Sequence, residues 1–163
     1  MPDAPNRPSP LLRASERTAE ESYSHPLNPR SEICGVSLGD AAGLERIGVL
    51  FIRVPPGKES LAYHLHHGEE EFIYVLAGRG IAEIDGQDHE VGPGDFMGFP
   101  TPSVAHLMRN PFDQDLIYLS GGERKPLEIA DFPRERKRFV RVGPRVSIHP
   151  LDGGEPLGDL PEL

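Results

Sequence analysis

The stretch Gly57-Lys58-Glu59-Ser60-Leu61-Ala62-Tyr63-His64-Leu65-His66-His67-Gly68-Glu69-Glu70-Glu71-Phe72-Ile73-Tyr74-Val75-Leu76-Ala77-Gly78 decides how the rest of the chain reads. On a β-strand successive side chains alternate faces, so His64 and His66 share one face while Leu65 and His67 share the other. After the acidic turn His67-Gly68-Glu69-Glu70, the run Glu71 to Leu76 has the β-branched and aromatic content of a second strand. Antiparallel pairing of that strand with the first, residues 61–67, would carry Glu71 to within reach of both imidazoles. Neutral imidazole nitrogen and carboxylate oxygen together suit a borderline or hard divalent ion.

Composition sets the outer limits. The 163 residues fit one domain with extensions, and 18 Gly plus 18 Pro favour many short strands joined by turns over a helical protein. A formal net charge of −9 argues against a nucleic-acid or anionic-membrane surface, whose affinity comes from clustered Lys and Arg. Cys34 is the only cysteine, which excludes an intramolecular disulfide; with no basic neighbour it reads as a small buried apolar residue. No apolar run near the N-terminus is long enough for a signal peptide or a membrane span, so a cytoplasmic protein is expected.

Residues 1–31, rich in Pro, Ser and charge, read as a flexible or dimer-contact arm in which His25 is solvated. A barrel is expected over 32–122, beginning with a strand from Glu32 to Leu38 and a turn from Gly39 to Gly43. Leu44 to Val54 follows as a strand apolar on both faces. Ile81 to Ile84 and Gln87 to Val91 flank Asp85-Gly86, the strongest two-residue hairpin signal in the chain. Phe96 to Phe99, Val104 to Arg109 and Asp115 to Leu119 complete the series of short strands, which describes an antiparallel sandwich or barrel. Residues 123–163 read as a C-terminal extension, with an edge strand at Phe139 to Val142 and an acidic tail.

The quoted stretch resembles the first motif of the cupin superfamily: a glycine, His-x-His, a Glu and a closing glycine, here Gly57, His64, His66, Glu71 and Gly78. A counterpart of the second cupin motif runs through Gly94, Pro100, His106 and Asn110. Pro102 stands where that motif has glycine, with three residues before His106, so an extra residue must be absorbed in the turn for His106 to face the ion. The resemblance spans roughly residues 44–122 and implies an all-β, cupin-type antiparallel β-barrel (jelly roll) in a single copy with N- and C-terminal extensions. It also implies His64, His66, Glu71 and His106 as metal ligands, holding a divalent transition metal such as Mn, Fe, Ni, Zn or Cu.

His67 points away from that set by alternation, and Glu69 and Glu70 read as turn residues, with Glu70 the fallback ligand if the turn is one residue shorter. Tyr63, beside His64, is the candidate catalytic proton donor, although alternation places it on the opposite face from His64. Tyr63, Tyr74, Phe72 and Phe99 are candidate pocket walls, and Arg53, Lys58, Arg79 and Arg109 candidate partners for an anionic substrate. The resemblance implies a metal-dependent isomerase, lyase or dioxygenase acting on a small oxygen-rich molecule, through sugar-phosphate isomerase-like or carboxylate and diol chemistry. The alternative is a non-catalytic module that senses a small ligand or a metal. A homodimer is expected, with no nucleic-acid or membrane partner.

Overall fold

The computed structural model describes residues 8–154. Its strands are β1 (Glu21–Tyr23), β2 (Ile33–Ser37), β3 (Ile47–Val54), β4 (Leu65–His66), β5 (Glu71–Ala77), β6 (Gly80–Ile84) and β7 (Gln87–Val91). They continue with β8 (Phe96–Phe99), β9 (His106–Arg109), β10 (Leu116–Glu123), β11 (Leu127–Phe132), β12 (Lys137–Val142) and β13 (Arg145–Pro150). One helical turn, α1 (Leu38–Ala41), opens the β2–β3 connection, where Ser37 Oγ accepts from the Asp40 amide. All sheet pairings are antiparallel, as expected for an all-β cupin-type barrel.

One wall is the six-stranded sheet β1-β2-β3-β10-β5-β8. The other is made by the sheets β7-β6-β9 and β13-β12-β11-β4, stitched together where His64 bridges His106. Between the walls lies a core from both, including Ile52, Val54, Ile73, Val75, Met97 and Leu116 opposite Ala82, Val91 and Met108. Period-two patterning produces it: on β5, Ile73 and Val75 are buried while Tyr74 and Leu76 face outward.

The strand expected over residues 61–67 does not form a hairpin with β5. Both edges of β5 are taken, by β10 and β8, and the shortened strand β4 pairs instead with β11 across the barrel. The turn at residues 67–70 therefore carries the chain from one wall to the other. Phe139 to Val142 is not an edge, since β12 lies between β11 and β13. β3 is not apolar-packed on both faces: Ile52 and Val54 are buried, Ile47 is exposed, and Phe51 on the outer face lies under the Arg17 guanidinium. Cys34 is half-buried, because the β2 face it shares with Arg53 looks outward. Within the arm, His25 is not solvated but packs on Phe132, ring centroids 5.1 Å apart, and burial pulls its pKa down.

The Asp85-Gly86 hairpin forms as the sequence indicates, with φ of 51° and 75° at the two turn residues. Gly78 has φ of 75°, and a β-carbon there would lie 2.1 Å from the Asp115 carbonyl oxygen. That position accepts no other residue without moving β10.

Candidate metal centre

His64 and His66 flank Leu65 and look into the barrel from one wall, and Glu71 looks back from the start of β5 on the other. Glu71 Oε2 lies 3.3 Å from His66 Nε2 and 3.1 Å from His106 Nε2. The His64 ring sits beside both other rings, centroids 4.9 Å from His66 and 4.7 Å from His106. Ligand atoms of His64, His66 and Glu71 fall within 4.8 Å of one another. The extra residue before His106 is taken up in the irregular segment 100–105, which contains a cis Thr101–Pro102 bond and is tied to the neighbouring strand by the Ser103 amide donating to the His66 carbonyl. Phe99 stacks on the His106 ring at 3.8 Å and 12°, fixing its plane.

Each imidazole engages an acceptor through Nδ1: the Ala62 carbonyl at 2.8 Å from His64, the Val104 carbonyl at 3.2 Å from His106, and Glu128 Oε1 at 3.2 Å from His66. A neutral ring that donates through Nδ1 keeps its lone pair on Nε2, the form in which an imidazole can hold an ion; at His66 and His106 that Nε2 faces Glu71 Oε2, at 3.3 and 3.1 Å. The set His64, His66 and Glu71, two imidazole nitrogens and a carboxylate, could hold a divalent transition metal, and His106 Nε2 lies 3.1 Å from the same carboxylate.

The electrostatics agree with that arrangement. Burial, reinforced by the neighbouring His106, pushes the His64 pKa down to about 3, so the ring is neutral at physiological pH. Burial alone would lower His66, but Glu71 and Glu128 on its two nitrogens more than reverse this and raise it. Burial likewise opposes ionisation of Glu71, yet hydrogen bonds to His106 and His66 hold its carboxyl well below the usual range.

Two contributors escape a reading of the sequence. Ser120 Oγ on β10 donates to Glu71 Oε1 at 2.9 Å, and Glu128 on β11 meets His66 from the segment expected to be an extension. Neither belongs to a local motif; each is brought to the site by strand pairing far along the chain. Glu69 is more than a turn residue: it is buried, accepts from the Lys125 amide and pairs with Arg141. His67 points away as alternation requires, and its Nε2 meets Asp131 Oδ2 at 2.8 Å.

Tyr63 is not brought to the cluster. Its ring is half-buried beneath the Arg134 guanidinium, 4.1 Å away, and it does not line the cavity. Tyr74 is exposed on the outer face. The four cations considered from the sequence also sit elsewhere: Arg53 with Glu20 and Asp115, Lys58 with Glu32, Arg79 with Glu90, and Arg109 with Asp88.

The cluster opens into a cavity of about 530 Å³. Ile33, Leu50, Ile52 and Leu61 give it apolar walls, and Tyr23 and Glu21 from the N-terminal arm line it. Among the described residues it is lined by five glutamates (Glu21, Glu69, Glu70, Glu71, Glu123) and one guanidinium, Arg124, itself paired with Asp40.

Among the described residues no helix is long and apolar enough to cross a membrane. Residues 50–121 match the Cupin domain family. An oxalate-binding protein of Thermotoga maritima is 30% identical over 112 residues, 68% of this chain and 90% of that protein. Among solved structures, a candidate sugar phosphate isomerase from Acidithiobacillus ferrooxidans is 37% identical with a TM-score of 0.89, covering 93% of this chain and 98% of that one. A sugar phosphate isomerase of the cupin superfamily from Silicibacter pomeroyi is 27% identical with a TM-score of 0.79, over 88% and 94% of the two chains. With its strand order, its single barrel and these matches, the chain belongs to the cupin family, as a small protein with one cupin domain.

Proposed function

We propose that this cupin is a metalloenzyme acting on a small oxygen-rich molecule, with His64, His66, Glu71 and His106 as the metal ligands. The observation that carries the reading is the shared orientation of the three imidazoles: each has Nδ1 against an acceptor, and two have Nε2 within 3.3 Å of the same Glu71 oxygen. When bound, the ion supplies a Lewis acid able to polarise a carbonyl or enolate oxygen. The chain's own part is to hold and orient. Ser120 orients Glu71, Phe99 fixes His106, and Ile33, Leu50, Ile52 and Leu61 give the site one apolar wall.

The names of the relatives point to sugar phosphates and to oxalate. Within the cavity, hydroxyl groups find many carboxylate acceptors, whereas an anion finds, among the described residues, one guanidinium that is already paired. This favours isomerase-like or diol chemistry on substrates held by their oxygens at the ion. Elemental analysis of protein purified without added metal or chelator, followed by a turnover screen of sugars, sugar phosphates, diols, and hydroxy and keto acids, tests the proposal. Stoichiometric metal with turnover that His64→Ala abolishes, in a barrel that stays folded, supports it. Activity that survives without metal refutes the mechanism, and metal without turnover leaves a sensing or binding module. The expected homodimer would cover the outward row Tyr74, Leu76 and Phe96, and light scattering on Phe96→Glu reads it out.

A further inference from the structure

We infer that Glu128, outside the matched cupin region, is a positioning residue that fixes which nitrogen of His66 faces the cavity. The inference deepens the metal-site reading and uses it for its consequence on affinity. His64 and His106 have Nδ1 held by main-chain carbonyls, which no side-chain change removes. His66 differs, because the acceptor at its Nδ1 is a side chain, Glu128 Oε1 at 3.2 Å. Glu128 is 2% exposed, and its second oxygen, Oε2, is buried without a hydrogen-bond partner. A buried carboxylate with an idle oxygen is costly unless it serves its neighbour, and the neighbour here is the one ring of the three lacking a main-chain anchor.

Two further contacts place the carboxylate. The Gly68 amide approaches Oε1 at 3.5 Å, and a β-carbon on Gly68 would lie 2.8 Å from Oε2. Gly68, the residue after the His-x-His-His run, therefore leaves the room that Glu128 occupies. Two other carboxylates lie near His66: Glu71 faces Nε2 at 3.3 Å and competes with Glu128 for the ring proton, while Glu69 is already engaged by Arg141 and the Lys125 amide and does not substitute at Nδ1. A carboxylate on the far nitrogen of a metal-bound imidazole sets the tautomer and ring plane, and its loss typically weakens metal affinity about 10- to 100-fold.

The test uses the full chain labelled with ¹⁵N-histidine, metal-free and at a pH where the ring is neutral. Long-range proton–nitrogen spectra then show which His66 nitrogen carries the proton. The wild type is expected to carry it on Nδ1. Glu128→Met, of similar length but unable to accept, is expected to move it to Nε2 or mix the two, while His64 and His106 stay as they are. Glu128→Gln, which keeps an acceptor oxygen, restores part of the Nδ1–H form, and Gly68→Ala, acting only by displacing the carboxylate, shifts it as Glu128→Met does. In parallel, Mn²⁺ titration is expected to weaken about 10- to 100-fold in Glu128→Met and less in Glu128→Gln. An unchanged His66 tautomer in Glu128→Met overturns the inference. Wild type that binds no metal refutes the metal reading while the tautomer still decides the role of Glu128. If Glu128→Met fails to fold, Gly68→Ala carries the same decision: an unchanged His66 tautomer there overturns the inference.

Discussion

Replacing Ser120 by Ala tests whether Glu71 is a ligand held ready for an ion. Ser120 Oγ donates to Glu71 Oε1 at 2.9 Å, and Nε2 of His66 and His106 lies 3.3 and 3.1 Å from Oε2. Once those nitrogens give their lone pairs to a metal, Ser120 is the donor that remains to hold the carboxylate. A hydrogen bond to a charged group contributes about 1.5–3 kcal/mol. Since the Glu71 side chain is only 18% exposed, water replaces the lost hydroxyl incompletely. At about 1.4 kcal/mol per factor of ten, Ser120→Ala should weaken Mn²⁺ binding by about 10- to 100-fold in a calorimetric titration. Thermal stability of the metal-free protein should change little by comparison, because Ser120→Ala leaves the pairing of β10 with β3 and β5 intact. An Mn²⁺ affinity within about twofold of wild type, in a protein where Glu71→Gln abolishes binding, would refute the orienting role of Ser120.

Metal affinity should rise with pH. The ion needs a neutral His66, whose pKa is raised, while His64 stays neutral and Glu71 ionised, so one proton on His66 competes. Titrations across the neutral range should show tightening by up to about tenfold per pH unit, levelling off above the His66 pKa; a flat profile contradicts this. Gly78→Ala should cost about 2–4 kcal/mol in denaturant unfolding, from a left-handed backbone and a clash with the Asp115 carbonyl. Asp131 carries a bidentate Arg138 pair at 2.7 and 2.8 Å and a contact to His67, and the Arg138 hydrogen bond holds its pKa below the ordinary value. A folded-state pKa below the unfolded one stabilises above the unfolded value, and the benefit is lost as pH falls beneath it. Asp131→Asn should therefore cost about 1–3 kcal/mol at neutral pH, with the gap closing in acid; a gap constant with pH excludes the ion pair as its source.

The barrel was legible because short strands, turn residues and the His-x-His spacing all act over a few positions. Alternation placed His64 and His66 on one face and His67 on the other, and Asp85-Gly86 marked its hairpin by conformation alone. Pairing between distant strands was not legible. Nothing near Glu71 says that β5 is already flanked by β8 and β10, so the expected hairpin with residues 61–67 gave way to a crossing between walls. The contributions of Ser120 and Glu128 were hidden for the same reason, each lying about fifty or more residues from the ring or carboxylate it meets. The cations at Arg53 and Arg79, near the motif in sequence, were carried to ion pairs elsewhere.

The short strand β4 takes its strand partner from β11, beyond the last residue matched to the family. A chain trimmed at that match would keep every proposed ligand yet leave the histidine-bearing ribbon held on one side only, by the His64–His106 bridge and the Ser103 tie. Exchange of the terminal three-stranded flap between related barrels is thus a route to retuning such a centre while its coordinating residues stay untouched.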